Sequence, residues 1–253
     1  MPIRPGIEQA GLSDVGCLRS NNEDRYSYWE PAEDARFPQK GRLAIIADGM
    51  GGHEGGQEAS RIAVETIEKV YDADSAASPT QALIAAFQAA HEQILRFGNE
   101  HPALQGLGTT CTAVVLVGGA LHYAHIGDSR LYLLRESKMQ RLTHDHSYVG
   151  RLVDQGLLAE EEAAVHPQRN ILLKALGVGR DVAPESSNQP LPLQKGDVLL
   201  LCSDGLWSMV REDEMRSAVA GGPLPQACQA LVDKAKERGG PDNITLQLLR
   251  VTA

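Results

Sequence analysis

Three strand-like segments follow one another in the middle of the chain with no helical pattern between them. They cover residues 109–117, 121–126 and 130–135, and glycine-containing turns at Gly118-Gly119 and Gly127-Asp128 separate them. Runs of strands, in place of regular alternation with helices, are typical of α+β folds. The further strands that we predict lie at residues 42–47, about 182–191, 197–203 and 244–252.

The helical patterns come in pairs. Apolar residues at helical spacing predict a helix from Glu54 to Tyr71, and Ser78-Pro79 provides a cap and a first-turn proline for the next one. The apolar stripe of that second helix consists of Leu83, Phe87, Ala90 and Ile94. A second pair is predicted near residues 206–219 and 224–238, and the weakly periodic stretch 145–180 is predicted to be a helical excursion with loops. We expect one α+β domain over residues 1–253, with layered sheets and helices outside.

Charge and composition exclude several classes of protein. Lys and Arg number 24 against 33 for Asp and Glu, a net charge of −9, which argues against a nucleic-acid or anionic-membrane binder. No apolar run approaches the roughly 18 residues of a membrane helix. The first residues lack the apolar centre of a signal peptide, so we expect a cytoplasmic protein. The four cysteines are scattered without zinc-ligand spacing and are expected to be buried thiols.

Five aspartates stand at the edges of predicted strands, and three of them have a neighbouring glycine. They are Asp24, Asp48, Asp128, Asp204 and Asp242. If the strand ends converge, these carboxylates would repel one another unless a cation neutralises them. Oxygen ligands, with glycines that let carbonyls approach, suit Mg²⁺ or Mn²⁺ better than zinc. The alternative is that each Asp-Gly pair is only a tight turn.

The same residues lie in seven motifs that resemble, in order, those of the bacterial metal-dependent protein phosphatases of type 2C, the PPM family. The motifs are RSNNEDRY, ADGMGGHEGG, GTTCTAVVL, HIGDSRLYLLR, LTHDHS, SDGLW and GGPDNITLQLL. The resemblance implies a β-sandwich of two antiparallel sheets flanked by pairs of helices, an αββα arrangement, with a metal cleft at one sandwich edge. The resemblance also implies that residues 145–180 form the flap, a mobile segment beside that cleft.

The resemblance implies a ligand set for two tightly bound Mn²⁺ or Mg²⁺ ions. Asp48 would bridge them, with the Gly49 carbonyl on the second ion and with Asp204 and Asp242 on the first. Glu23 and Asp24 would hold the second ion and its waters. Asp128, with help from Asp204, matches the position of a weaker third ion.

The implied activity is hydrolysis of phosphoserine and phosphothreonine in proteins. Two divalent ions about 3.5–4 Å apart can bridge one water, lower its pKa and direct it at phosphorus. Arg19 is similar to the family's phosphate-binding arginine, whose planar guanidinium can contact two phosphate oxygens. No serine or cysteine nucleophile is needed, so Cys202 and Ser203 are expected to be structural.

The general acid is less well defined. Many eukaryotic members have a histidine directly after the Asp-Gly, where this chain has Met50. His53 could protonate the leaving alcohol, and so could a water on the third ion. His144 and His146, in LTHDHS, are expected to have a structural role.

The expected partners are phosphorylated proteins and the bacterial Ser/Thr kinase that phosphorylates them, and the expected oligomeric state is a monomer. Two other functions stay open: a pseudophosphatase that binds phosphoproteins without hydrolysis, and a hydrolase of small phosphate esters. A regulator phosphatase of stress response or sporulation is disfavoured, because such relatives carry sensor domains and have lost several of these motifs.

Overall fold

Antiparallel pairing joins all the neighbouring strands in the described part of this protein. A computed structural model describes residues 4–52, 54–74, 78–180 and 182–253. Its strands are β1 (Ile7–Asp14), β2 (Asp24–Trp29), β3 (Arg42–Met50), β4 (Gly108–Thr109), β5 (Cys111–Val117), β6 (Ala120–Ile126), β7 (Arg130–Arg135), β8 (Lys138–Arg141), β9 (Glu185–Ser186), β10 (Leu191–Pro192), β11 (Val198–Cys202) and β12 (Ile244–Val251). Its helices are α1 (Phe37–Lys40), α2 (Glu54–Ala73), α3 (Pro79–Glu100), α4 (Tyr148–Asp154), α5 (Glu160–Ala164), α6 (Asp204–Trp207), α7 (Glu212–Val219) and α8 (Leu224–Glu237), and Pro102–Leu104 form a 3₁₀ turn.

The strands form two sheets. One has five strands in the order β1-β12-β11-β7-β8, and the other has seven, with the path β10-β6-β5-β3-β2, β4 on β3 and β9 on β6. Alternate residues of each strand face opposite sides, so each sheet can contribute to two apolar layers. The prediction of an α+β fold with two antiparallel sheets is confirmed.

Three apolar layers hold the elements together. The middle layer lies between the sheets and includes Ala44, Ile46, Val114, Leu131, Leu199 and Leu249. A second layer joins the seven-stranded sheet to α2 and α3, and it contains the whole predicted stripe of Leu83, Phe87, Ala90 and Ile94. A third layer packs α6, α7 and α8 on the five-stranded sheet. The order of layers is therefore helix, sheet, sheet, helix, as predicted.

Several elements differ from the sequence prediction. The strand expected near residues 182–191 is two separate pairs, β9 and β10, and the helix expected near 206–219 is divided into α6 and α7. The strands β1 and β8 were not predicted. Both are edge strands of the five-stranded sheet, and edge strands face solvent along one side, so they carry polar residues that weaken the apolar alternation. Among the described helices, none is long and apolar enough to cross a membrane.

Candidate metal centre

Two carboxylates face each other at one end of the seven-stranded sheet. Asp24 begins β2 and is the register partner of Asp48 in β3. Directly opposed residues of an antiparallel pair place their side chains on the same face, close together. Strand pairing alone therefore brings these two predicted ligands side by side.

The five-stranded sheet brings further carboxylates to the same edge. Asp204 directly follows β11 and begins α6, and Asp242 lies just before β12. Asp128 occupies the turn between β6 and β7. A cleft of about 320 Å³ is lined by seven of the predicted residues, namely Arg19, Glu23, Asp48, Gly49, Asp128, Asp204 and Asp242. Asp24 completes the set from a buried position, with 1% of its surface exposed. His53, the remaining predicted residue, lies outside the described residues.

Hydrogen bonds fix the backbone of Asp48. Its N–H donates to Thr110 Oγ1 at 3.1 Å, and its carbonyl accepts from the Thr110 N–H at 2.9 Å and from Thr109 Oγ1 at 2.8 Å. Thr110, which lies between β4 and β5, thus holds the backbone of Asp48 and leaves its carboxylate to the cleft.

Two glycines allow the segments around Glu23 to approach closely. A Cβ at Gly56 would lie 1.9 Å from Glu23 Oε2, and a Cβ at Gly49 would lie 2.0 Å from the Gly56 carbonyl oxygen. The Gly49 N–H donates to the Glu23 carbonyl at 3.2 Å. Only glycine fits at these two positions, which places Glu23 and the Gly49 backbone together at the cleft.

Burial and mutual repulsion raise the pKa values of the carboxyl groups in the cleft. Burial is the main cause that raises the pKa of Asp24 to about 7, although hydrogen bonds from Thr245 and Ser203 oppose it. Burial and then repulsion by Asp242 raise the pKa of Asp204 to about 6. The pKa values of Asp48 and Asp128 are also raised, first by burial and then by the neighbouring carboxylates.

The donor set fits a hard divalent cation. Within the described structure, Asp24 Oδ1 and Asp204 Oδ1 are buried and have no hydrogen-bond partner. Buried polar atoms are normally paired, so each such exception needs an explanation. Among the described residues, the predicted ligands offer oxygen atoms, which is the preference of Mg²⁺ and Mn²⁺. A bound cation would both pair these oxygens and offset the repulsion that raises the pKa values.

Arg19 is the cationic group among the described residues that line the cleft. Its Nη2 donates to Asp242 Oδ2 at 2.7 Å, and 52% of its side chain stays exposed. The Asp242 carboxylate, through that hydrogen bond, raises the pKa of Arg19 further. A guanidinium held at the cleft rim by one carboxylate can present its other edge to an oxyanion.

Several contributors were missed by the sequence analysis. The Asn243 side chain accepts from the Glu23 N–H at 2.8 Å and donates to the carbonyls of Val15 and Asn21. It therefore joins the loop before β2 to the loop before β12, and its place directly after Asp242 was the available signal. Asn170 and Leu172, from the stretch 145–180, also line the cleft, but nothing in their local sequence indicated it.

His144 and His146 lie beside the cleft residues in a second polar cluster. Ligand atoms of His125, His146 and Glu185 lie within 4.8 Å of one another. However, His125 Nδ1 is bonded to Thr112 Oγ1, and its Nε2 lies 3.1 Å from two backbone carbonyls. Because both ring nitrogens of His125 are engaged, this geometry favours a hydrogen-bonded cluster over a metal site.

The fold and site agree with one family. The family model of protein phosphatase 2C matches residues 20–238. The chain therefore belongs to the protein phosphatase 2C family, and the resemblance inferred from the motifs is confirmed.

Particular relatives are named serine/threonine phosphatases. The chain is 36% identical to "Serine/threonine protein phosphatase PstP" of Mycobacterium tuberculosis over 240 residues, which are 95% of this chain and 44% of that protein. It thus spans less than half the length of PstP. It is also 36% identical to "Serine/threonine phosphatase stp" of Listeria monocytogenes, covering 94% of this chain and 93% of that protein.

Solved structures agree with these relatives. The catalytic domain of PstP in complex with two manganese ions matches with a TM-score of 0.84 and 33% identity, over 98% of this chain and 99% of that one. Stp1 of Staphylococcus aureus matches with a TM-score of 0.88 and 28% identity, over 100% of this chain and 98% of that one.

Proposed function

We propose that this chain hydrolyses phosphoserine and phosphothreonine in proteins with the help of Mn²⁺ or Mg²⁺. The observation that carries the proposal is the group of buried carboxylates from both sheets, with unpartnered oxygens on Asp24 and Asp204, beside Arg19. The comparisons support the proposal. The similar PstP structure contains two manganese ions, and the relatives of this chain carry the names of serine/threonine phosphatases.

The proposed ligands follow the positions of the carboxylates. Five of the proposed ligand residues line the cleft, namely Glu23, Asp48, Gly49, Asp204 and Asp242, and Asp24 is buried opposite Asp48. Asp128 with Asp204 would hold a weaker third ion. When bound, the divalent ions supply an activated water as nucleophile and positive charge that offsets the phosphate oxygens.

The residues of the chain orient the phosphate and protect the reaction from a competing nucleophile. Arg19 can contact the phosphate from the rim while Asp242 holds its other edge. Ser203 Oγ donates to Asp24 Oδ2 at 2.8 Å and accepts from the Thr245 N–H, and the residue is fully buried. Burial raises the pKa of the Cys202 thiol to about 12, which keeps it protonated and unreactive. These contacts support direct attack by water without a phosphoenzyme.

The remaining assignments are also proposals. We propose His53 as the proton donor to the leaving alcohol, and residues 145–180 as a flap of a single catalytic domain. A cognate Ser/Thr kinase, a monomeric state and a cytoplasmic location stay predictions from the sequence.

The test is phosphate release from a phosphothreonine peptide, with Mn²⁺ or with excess chelator, by wild type and by Asp204→Asn. The expected result is metal-dependent turnover in wild type and turnover that is lower by at least about 10²-fold in the variant. Replacing a residue that only hydrogen-bonds to a metal ligand typically costs 10–100-fold in activity, and replacing a ligand itself should cost at least as much. Asp197→Asn is the matched control. Asp197 is a buried carboxylate just before β11, at the opposite end of the strand from Asp204, and it pairs with Arg135.

Turnover without metal, or turnover that survives in Asp204→Asn, would refute the metal-dependent proposal. Binding of the phosphopeptide by folded, metal-loaded wild type without phosphate release would favour the pseudophosphatase. Release only from small phosphate esters would favour the ester hydrolase.

A further inference from the structure

Two sets of contacts from the start of the stretch 145–180 converge on the turn that carries Asp128. The first runs through side chains. The Trp207 Nε1–H donates to the Asp128 carbonyl at 2.9 Å, and the Arg130 guanidinium lies over the Trp207 ring, 3.6 Å from its centroid. Arg130 also makes two parallel hydrogen bonds to Asp145, at 3.0 and 2.7 Å.

The second set of contacts runs through the backbone. The His146 N–H donates to the Gly127 carbonyl at 2.7 Å, and the Gly127 N–H donates to His146 Nδ1 at 3.2 Å. Gly127 has a φ of +105°, and a Cβ there would lie 2.5 Å from Thr110 Cβ. Two hydrogen bonds with His146 and the close packing of Thr110 thus fix the position of Gly127, the residue before Asp128.

The side-chain route is buried. The side chains of Arg130 and Asp145 are only 14% and 9% exposed. A buried ion pair is a weak source of stability, since desolvation of both groups offsets their attraction. Its bidentate geometry and the stacked indole instead fix one orientation of the guanidinium and of Trp207. The Trp207 hydrogen bond then transmits that orientation to Asp128.

We propose that Arg130 and Trp207 are positioning residues for Asp128 and that they set the affinity of the weaker divalent-ion site. They act through the Asp128 carbonyl, which they hold so that the carboxylate of the same residue faces Asp204. Partners that orient a metal ligand typically change metal affinity by 10–100-fold when they are replaced. This inference rests on the proposed function, because it concerns the third ion of the same site.

The experiment measures Mn²⁺ binding directly, by electron paramagnetic resonance of free Mn²⁺ during titration of the metal-free protein. Trp207→Phe removes the N–H donor but keeps a ring under Arg130, and Arg130→Lys keeps the charge but loses the paired hydrogen bonds. Asp128→Asn is the reference that removes the weak site itself. Arg135→Lys is the matched control, because Arg135 makes the same bidentate contact with Asp197 at the other end of β7.

We expect the weak class of Mn²⁺ sites to lose roughly tenfold in affinity in Trp207→Phe and in Arg130→Lys. Asp128→Asn should lower the affinity of the same class of sites further. The tight sites should keep their wild-type affinity. In steady-state assays, the Mn²⁺ concentration for half-maximal activity should rise, and excess Mn²⁺ should restore kcat. A merely structural role would weaken all sites together.

Wild-type affinity of the weak sites in Trp207→Phe would overturn the proposal, and so would an equal weakening in Arg135→Lys. If Arg130→Lys fails to fold, Trp207→Phe decides the question. The titration needs no substrate, so it separates this inference from the proposed function: a protein that binds Mn²⁺ in two classes but releases no phosphate fails only the proposed function.

Discussion

The buried carboxylate of Asp24 gives the sharpest quantitative prediction. Its pKa is raised from 3.8 to about 7 because it is fully buried near Asp204 and Asp242. Between those two pH values the folded state binds a proton that the unfolded chain releases. The folded state therefore loses stability as the pH rises from 3.8 to 7, and no more is lost above 7.

The perturbation is Asp24→Asn in the metal-free protein. Asparagine cannot ionise, so the variant avoids this pH-dependent loss. The interval from pH 5 to pH 7 covers two pH units at about 1.4 kcal/mol each. The free energy of unfolding of the variant minus that of wild type should thus be larger, in favour of the folded variant, by about 3 kcal/mol at pH 8 than at pH 5. Any pH-independent cost of burying the amide cancels in this difference.

The assay is urea unfolding of chelated protein, followed by the fluorescence of Trp29 and Trp207, at both pH values. Asp14→Asn is the control. The Lys236 ammonium and the Gly16 N–H lower the pKa of Asp14 despite partial burial, so its contribution disappears only at lower pH and its difference should be flat from pH 5 to 8.

An Asp24→Asn difference that is equal at pH 5 and pH 8 would refute the reasoning, since it would mean that Asp24 ionises near its ordinary pKa. With saturating Mn²⁺ the sign should reverse. Wild type, with one more ligand, should then gain more stability from the ion than the variant does.

Two other changes test the remaining parts of the site. Arg19→Lys should lower kcat/KM for a phosphopeptide by about tenfold, because an ammonium cannot contact two oxygens with a planar fork; unchanged steady-state kinetics would contradict a phosphate-binding role. Gly56→Ala should displace Glu23, whose Oε2 would lie 1.9 Å from the new Cβ, with a cost of roughly 1–3 kcal/mol in thermal unfolding. Gly221→Ala, where a Cβ meets open space, should cost much less, and equal costs would argue against the close packing around Glu23.

Sequence reasoning succeeded where the signal was local. Asp48 follows the apolar run of β3, and Asp204 comes just after the apolar strand β11, so their positions near strand ends could be predicted from the residues beside them. The stripe of α3 was also predicted correctly, because helical periodicity depends only on neighbours along the chain.

It failed where the contact was between distant segments. The pairing of Asp24 with Asp48 follows from strand register, which no local pattern contains. The same is true of Asn243, which bonds to residues near the start of the chain, and of Arg130 and Asp145. Side-chain hydrogen bonds between distant segments are formed by tertiary packing, and a single sequence carries little information about them.

The proposed ligands come from both sheets, and this has a consequence for the order of assembly. Asp24 and Asp48 belong to the seven-stranded sheet, whereas Asp204 and Asp242 adjoin the five-stranded one. A chain with only one sheet formed has only half of the ion site, so the ions bind after the two sheets have docked. Interactions absent from a folding transition state slow unfolding and leave the folding rate unchanged. If docking of the sheets is the last folding step, bound ions would mainly slow the separation of the two sheets, and so the unfolding of the protein.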